Sequence, residues 1–288
     1  MSSDTDSAAP EDELASAVQA ALNATGFPLQ LYLDHLVENR ARNTDRETYS
    51  FAVAASEFPW RSLDGSSSGF VDSILLGSHQ GMFSEPMVQL IIEAKRFEVG
   101  VAWIFLVSAN DRQRRSTSDA YLLRGSPTPA GYSLKWRLYS AVPMSPSPSF
   151  CTVRNLRTKA KHGESPEDVA GELLAACEAI AEQTRHLPMA HTSAYTHLPV
   201  IVTNAPLFVA TFAPSEVEPS AGIYPRRYDA ELAPWVRFQK SFSSSHAAEG
   251  DAIHEVAESL QRTVFVVTAA HFEEFLGSMS RIRLIGGG

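Results

Sequence analysis

Four apolar segments between residues 48 and 108 limit the folds open to this chain. They read TYSFAVAASEFPW, FVDSILL, MVQLIIEAKRF and VGVAWIFLVS, and stretches rich in Gly or Ser separate the first three. Their aromatic and β-branched side chains favour strands. Because helices and strands alternate along the whole chain, the class is α/β or α+β, and we expect an α/β fold with a mixed central sheet flanked by helices.

Helical periodicity occurs on both sides of these strands. Leu14, Val18 and Leu22 lie on one helical face before Gly26. A second helix over 28–40 is opened by Pro28 and directs an apolar stripe inward. A third begins at Ser165 and Pro166, with acidic residues in its first turn. Beyond it, the pattern predicts two strands hinged near 204–206, a strand at WVRFQKSF, a helix near 251–261, a strand at RTVFVVTA and a final short helix.

Composition is that of an ordinary globular protein, with 44% apolar and 20% charged residues in a chain of 288. No apolar run approaches the roughly 20 residues needed to span a bilayer. The polar, acidic start MSSDTDSAAPEDE differs from a secretory signal. Cys151 and Cys177 supply neither a disulfide framework nor zinc spacing. We therefore expect a cytoplasmic protein without a membrane partner.

Charge is unevenly distributed along the chain. The net charge is −9, yet residues 111–161 contain ten Lys or Arg against two Asp, a net of +8, which leaves −17 for the remainder. Such a basic island is typical of a solvated loop or of a nucleic-acid contact. We expect a disordered acidic N-terminus over 1–11 and a single domain over 12–285. Within that domain, the basic insertion covers about 109–163 and a C-terminal extension about 211–285.

The third strand ends in an acid and a base, Glu93 and Lys95. Because side chains alternate along a strand, these two share one surface while Ile92 and Ala94 face the other way. Asp72 lies 21 residues before Glu93 on the preceding strand, and a linker of this length can bring the two side by side. As ligands of one metal, the two carboxylates would lie within about 5 Å of each other. Paired carboxylates beside a lysine suit Mg²⁺ or Mn²⁺ and phosphodiester hydrolysis.

This pattern resembles that of the PD-(D/E)xK nuclease superfamily, in which an Asp on one strand precedes Glu-x-Lys on the next. The family core runs helix, three strands, helix, strand, and this chain offers those elements in that order across about 28–210. The resemblance implies a restriction-endonuclease-like sheet with a basic insertion after the third core strand. It also implies that Asp72, Glu93 and the Ala94 carbonyl bind the metal. Val71 stands where the family name has Pro.

The resemblance assigns further roles. Lys95 would assist the attacking water, and the family often adds a carboxylate from the preceding helix, for which Glu38 is the candidate and Asp34 the reserve. DNA is expected as the substrate ahead of RNA because most relatives cut it. The residues expected to hold nucleic acid are basic and lie in the island or on a later strand: Arg112, Arg114, Arg115, Lys135, Arg137, Arg237 and Lys240.

Two other functions stay open. The same scaffold could be a catalytically inactive nucleic-acid-binding or interaction module, or Glu93 and Lys95 could be a surface ion pair of a structural protein. A homo-oligomer is also left open.

GSSSG at 65–69 matches G-x-S-x-G but precedes a strand, so it indicates a turn and not a serine nucleophile. His186, His191 and His197 lack a fourth ligand for zinc.

Overall fold

The computed structural model describes residues 10–43, 50–62, 64–78, 87–108, 122–125, 145–158, 165–183, 194–218, 224–225, 228–241, 252–253, 256 and 260–279. Within them the helices are α1 (Pro10–Asn23), α2 (Phe27–Asn43), α3 (Pro166–Gln183) and α4 (Phe272–Met279). The strands are β1 (Ser50–Arg61), β2 (Ser68–Ser78), β3 (Met87–Lys95), β4 (Val101–Ser108), β5 (Leu122–Gly125), β6 (Phe150–Asn155), β7 (Ala194–Thr203), β8 (Leu207–Phe212), β9 (Val217–Glu218), β10 (Tyr224–Pro225), β11 (Asp229–Ala233), β12 (Trp235–Ser241) and β13 (Gln261–Thr268).

The main sheet is mixed and has the order β1-β2-β3-β7-β13-β12, with β5 paired to β7. The neighbours of β7 in this order, β3 and β13, run parallel to it, while β1-β2, β2-β3 and β12-β13 are antiparallel. The expected α/β class with a mixed sheet flanked by helices is confirmed. Each predicted element of the 28–210 core is present, with boundaries that differ by a few residues.

A second sheet, with the order β11-β8-β4-β6, was not predicted. Its strands β4 and β8 directly follow β3 and β7 in the chain, and they pair with each other in parallel. The expectation of one central sheet is therefore incomplete. The chain thus leaves the main sheet after β3 and again after β7, and the strands that follow, β4 and β8, cover one face of that sheet.

Two hydrophobic clusters lie on opposite faces of the main sheet. One joins α3 to the second sheet through residues such as Trp103, Phe105 and Leu173. The other packs α2 and α4 against the sheet through Leu33, Phe272 and other apolar residues. Since β3 is covered on both faces, its three successive residues before Glu93, Leu90 to Ile92, are all apolar and buried.

Helix α1 departs from this pattern. The predicted apolar face is present, but Leu14, Val18 and Leu22 on it are exposed. Residues 1–9, over most of the expected disordered terminus, lie outside the described residues. In the part of the chain that the structure describes, no helix is long and apolar enough to cross a membrane.

The ends of β3 and β7 are joined by a side-chain amide. The main-chain N–H of Phe97 donates to Oδ1 of Asn204 at 2.7 Å, and Nδ2 of Asn204 donates to the Phe97 carbonyl at 2.9 Å. The amide thus continues the β3-β7 pairing beyond Lys95, at the point where the chain passes from β7 to the second sheet. It holds the Glu-x-Lys segment in place from its C-terminal side.

Asn204→Ala removes both hydrogen bonds, and we expect the free energy of unfolding to fall by about 1–2 kcal/mol. Asn204→Asp keeps an acceptor for the Phe97 N–H but places a second acceptor oxygen against the Phe97 carbonyl, so it should also be less stable than the wild type. Urea denaturation followed by circular dichroism measures both values. A wild-type midpoint for Asn204→Ala would show that this amide does not stabilise the strand ends.

Candidate functional site

Asp72 lies where the pairing between β2 and β3 ends. The last pair is Ser73 with Ile92, and the next residues on the two strands are Asp72 and Glu93. Oδ2 of Asp72 accepts a hydrogen bond of 2.5 Å from the main-chain N–H of Ala94. The Asp72 carboxylate therefore accepts the hydrogen bond that a main-chain carbonyl of β2 would accept if the regular pairing continued. The Asp72 carbonyl is held in turn by the Gln30 side chain on α2, at 2.7 Å.

Strand β2 changes face at this residue. Ser73 is directed to α2, whereas Val71, two positions earlier, belongs to the cluster on the opposite face of the sheet. Residues two apart in a regular strand share a face, so the regular alternation is broken between them. The pairs Ser56–Ser73 and Phe58–Val71 place Glu57 opposite Asp72. Glu57 has φ of 51°, the only positive value at a non-glycine residue in the described ranges.

The carboxylate that α2 contributes here is Asp34. Its Oδ1 accepts from the Ser73 hydroxyl at 2.6 Å, and its Oδ2 accepts from the Ser56 hydroxyl at 2.8 Å. Gln30 and Asp34 are four residues apart and so lie on one helix face. Glu38, the first candidate for a helical acid, is exposed one turn further along. The reserve candidate Asp34 is thus the acid bonded to the strands at the site.

Glu93 and Lys95 share a face, as the alternation predicts. Nζ of Lys95 lies 3.1 Å from Oε1 of Glu93, and the two side chains are 20% and 23% exposed, Lys95 being the less exposed. In the main sheet the two residues are aligned with Ile201 and Thr203 of β7. The pair is therefore partly buried and held on a central strand.

The carbonyl of Ala94 is directed toward the same side as its N–H, because both groups of one residue in an extended strand point to the same neighbour. A Cβ atom at Gly26 would lie 3.6 Å from this oxygen, in ordinary van der Waals contact. The turn between α1 and α2 therefore lies against the residue that separates Glu93 from Lys95.

The pKa of Asp72 is raised above its usual value. Burial is the main cause, and the negative charges of Glu57 and Asp34 act in the same direction. The Ala94 N–H and the Lys95 charge oppose the shift in pKa without cancelling it. A cation at this position would favour the ionised carboxylate.

The donors at the site fit a hard divalent cation. Among the described residues no group of three His, Cys, Asp or Glu is arranged to hold a metal ion. Mg²⁺ does not require such a group, since it is commonly held by one or two carboxylates, with water and substrate phosphate oxygens completing an octahedron. Asp72, Glu93 and the Ala94 carbonyl offer only oxygen donors, which is the ligand type that Mg²⁺ and Mn²⁺ prefer. The predicted Asp72–Glu93 separation stays a prediction.

Most of the residues expected to bind nucleic acid lie outside the described residues: Arg112, Arg114, Arg115, Lys135 and Arg137. The two that are described are bonded to protein groups. Nη2 of Arg237 donates to the Ser145 carbonyl at 3.0 Å. Nζ of Lys240 lies 3.9 Å from Oε1 of Glu167 and 4.9 Å from the centre of the Phe238 ring. Their assignment to nucleic acid stays a prediction.

The GSSSG segment is a turn in the hairpin between β1 and β2, as expected. Asp64 organises it by accepting hydrogen bonds from the hydroxyl groups of Ser62 and Ser66 and from the main-chain N–H of Ser66. His197 is fully buried in β7, while His186 and His191 lie outside the described residues.

Sequence reasoning missed Glu57 and gave Asp34 second place. A signal for Glu57 was present, since an acid interrupts an otherwise apolar and aromatic strand two residues before Pro59. Asp34 and Glu38 are one turn apart on the same helical face, so periodicity could not choose between them.

No protein-family model, curated protein or solved structure matches this chain. The interpretation of the site therefore depends on its own residues and on the topology that positions them.

The hairpin offers two acids whose replacement should act in opposite directions. Because the folded state raises the pKa of Asp72, its ionised form costs stability above that pKa. Asp72→Asn should therefore raise the unfolding temperature at pH 7–8, and the gain should shrink as pH falls through the raised folded pKa and should vanish below the unfolded value of about 3.9. The Asn carbonyl can still accept from Ala94.

Asp64 is the matched control. Hydrogen bonds, chiefly from the Ser66 N–H, lower its pKa from 3.8 to about 2. It therefore stabilises the fold above the unfolded pKa, and this contribution is lost as pH falls through about 2. Asp64→Asn should lower the unfolding temperature at neutral pH. Thermal unfolding between pH 2 and 8 tests the pair, and a loss of stability in Asp72→Asn at pH 7 would contradict this electrostatic explanation.

Proposed function

We propose that this protein is a metal-dependent nuclease of the PD-(D/E)xK type with a restriction-endonuclease-like fold, and that it hydrolyses phosphodiester bonds in DNA. One observation carries the proposal. The carboxylate of Asp72 is bonded to Ala94, the central residue of Glu93-Ala94-Lys95. The isolated acid and the Glu-x-Lys segment, which the sequence separates by some twenty residues, therefore meet at one point.

The order of elements supports the same proposal. Helix α2 precedes the antiparallel series β1, β2 and β3, and α3 lies between β3 and the parallel strand β7. This is the helix, three strands, helix, strand order of the family. The second sheet is additional to that core, and its strands lie on the side of the main sheet opposite α2.

Each residue then has a stated role. Asp72, Glu93 and the Ala94 carbonyl would hold Mg²⁺ or Mn²⁺, and Asp34 would take the part of the helical acid in place of Glu38. When bound, the metal would supply charge neutralisation at the phosphate and a more acidic water. Lys95 would orient the attacking water and stabilise negative charge that develops on the phosphate oxygens.

The basic island would bind the phosphate backbone. Its net charge of +8 stands against −17 for the rest of the chain, so an extended polyanion would be attracted to this part of the protein and repelled by the remainder. The island follows β4 in the chain, and β4 in turn follows the Glu-x-Lys strand.

Plasmid DNA incubated with Mg²⁺ or Mn²⁺ should be cleaved, and EDTA should abolish the reaction. Lys95→Ala and Glu93→Gln should each reduce the rate by about 100-fold or more, because each removes a group that acts on the reacting phosphate or its metal. Asp72→Asn should be inactive although it is more stable than the wild type, which excludes unfolding as the cause.

Glu98→Gln is the matched control for Glu93→Gln, since Glu98 is an exposed acid just beyond the end of β3. It should cleave at the wild-type rate. Cleavage that persists in EDTA or in Lys95→Ala would overturn the mechanism. DNA binding without cleavage would favour the inactive binding module, and the absence of both would favour a structural protein.

Neutralising Arg112, Arg114 and Arg115 together should weaken DNA binding and reduce its salt dependence. Removal of each phosphate contact should make the slope of log K against log salt less negative by about 0.9 on duplex DNA. Fluorescence anisotropy over a salt series, in EDTA to prevent cleavage, measures the slope. An unchanged slope with unchanged affinity would exclude these residues from the nucleic-acid surface.

A further inference from the structure

Helix α1 has no packed face in the described structure. Every side chain from Glu13 to Ala24 is exposed. The apolar members of its stripe are among them, with Leu14 at 66%, Val18 at 51% and Leu22 at 53% of full exposure. Isolated helices of up to about 12–15 residues are only marginally stable in water, and α1 has 14. A helix of this length with an uncovered apolar stripe needs a packing partner.

Large apolar side chains are also exposed at the start of α2, which follows α1 after a short turn. Phe27 and Leu31 on its first turns are 57% and 68% exposed. Together with the α1 stripe they give five large apolar side chains, each with roughly 100 Å² of accessible area. That total is near the largest apolar patch of an ordinary monomer, and with the flanking Ala side chains it approaches the roughly 800 Å² per partner of a stable interface.

The charge of α1 indicates what kind of partner fits. No Lys or Arg occurs from residue 10 to 39, while Glu11, Asp12 and Glu13 open the helix. A phosphate backbone or an anionic lipid surface would be repelled by this end of the molecule. The partner is therefore a protein surface, and an apolar one.

The stripe is complementary to itself. Ala17 and Ala21 lie on the same helical face as Leu14, Val18 and Leu22, so large and small side chains alternate along it. When two copies pack antiparallel around Val18, Leu14 of one copy meets the Ala21–Leu22 end of the other. Small residues at the contact let helix axes approach to about 8 Å.

Antiparallel packing also separates like charges. At 1.5 Å per residue α1 is about 21 Å long, so the two acidic first turns would lie at opposite ends of the interface, beyond the Debye length of about 8 Å. In a parallel arrangement they would be adjacent. We propose that a second copy of this chain covers α1, through a two-fold symmetric, antiparallel α1–α1 contact extended by Phe27 and Leu31.

Sedimentation velocity of the full chain from about 1 to about 100 µM tests the proposal, a range that brackets the micromolar affinity of a modest interface. The wild type should show a species of twice the 31.4 kDa chain mass. Leu14→Glu/Leu22→Glu should be monomeric. Because both side chains are exposed in the single chain, the free energy of unfolding of its core should be unchanged. Ser16→Glu/Asn23→Glu adds the same charge on the opposite face of α1 and should remain dimeric.

Two further measurements address the geometry. Val18→Cys should form a disulfide-linked dimer under mild oxidation while Ser16→Cys does not, because only position 18 meets its own copy at the two-fold axis. Amide hydrogens of residues 14–23 should be protected in the wild type and should exchange at least about tenfold faster in Leu14→Glu/Leu22→Glu.

A wild-type chain that stays monomeric at the highest concentration would overturn the proposal. A dimer that the Leu14→Glu/Leu22→Glu variant leaves intact would do the same. If that variant instead weakened DNA binding by a monomer, the surface would belong to nucleic acid and not to a second copy. None of these outcomes depends on nuclease activity.

Discussion

The hydrogen bond from the Ala94 N–H to the Asp72 carboxylate holds the candidate site together. It ends the regular pairing of β2 with β3 and brings an acid from one strand to the centre of the Glu-x-Lys segment of the next. The same contact draws Asp72 into a partly buried position, where its pKa rises. Gln30 and Asp34 on α2 then fix the main chain of Asp72 and the side chain of Ser73. Without this bond, Asp72 and Glu93 would be two unrelated charges at a strand end.

Several unfavourable features are concentrated around this one carboxylate. Asp72 is a partly buried acid, Glu57 lies opposite it in the β1-β2 pairing with the same charge, and Glu57 itself has a left-handed backbone. Like charges directly opposite in a sheet destabilise it, and a non-glycine residue in this backbone region costs on the order of 1 kcal/mol. Natural proteins carry local departures of this kind mainly at functional or strained sites. They coincide here with the position that the sequence pattern indicated.

Much of the core could be predicted because its signal is local. The alternation in β3 predicted that Glu93 and Lys95 share a face, and their ion pair confirms it. The segment VGVAWIFLVS was correctly predicted as a strand, but an apolar strand does not specify its partner, so the second sheet was missed. A break near Asn204 was predicted from sequence as well. Its role, which is to hold Phe97 by two hydrogen bonds, depends on a contact between residues 107 positions apart. For α1 the periodicity predicted the apolar face but did not identify the surface that packs against it.

The proposed function requires that Asp72, Glu93 and the Ala94 carbonyl form one divalent metal site. Crystals grown with Mn²⁺ and measured near the manganese absorption edge would locate the ion. We expect one strong anomalous peak at about 2.1 Å from a carboxylate oxygen of Asp72 and from the Ala94 carbonyl oxygen, with Glu93 in its coordination sphere. The peak should be absent from crystals of Asp72→Asn. A peak elsewhere, or none near Asp72 at saturating Mn²⁺, would contradict this assignment of the metal site.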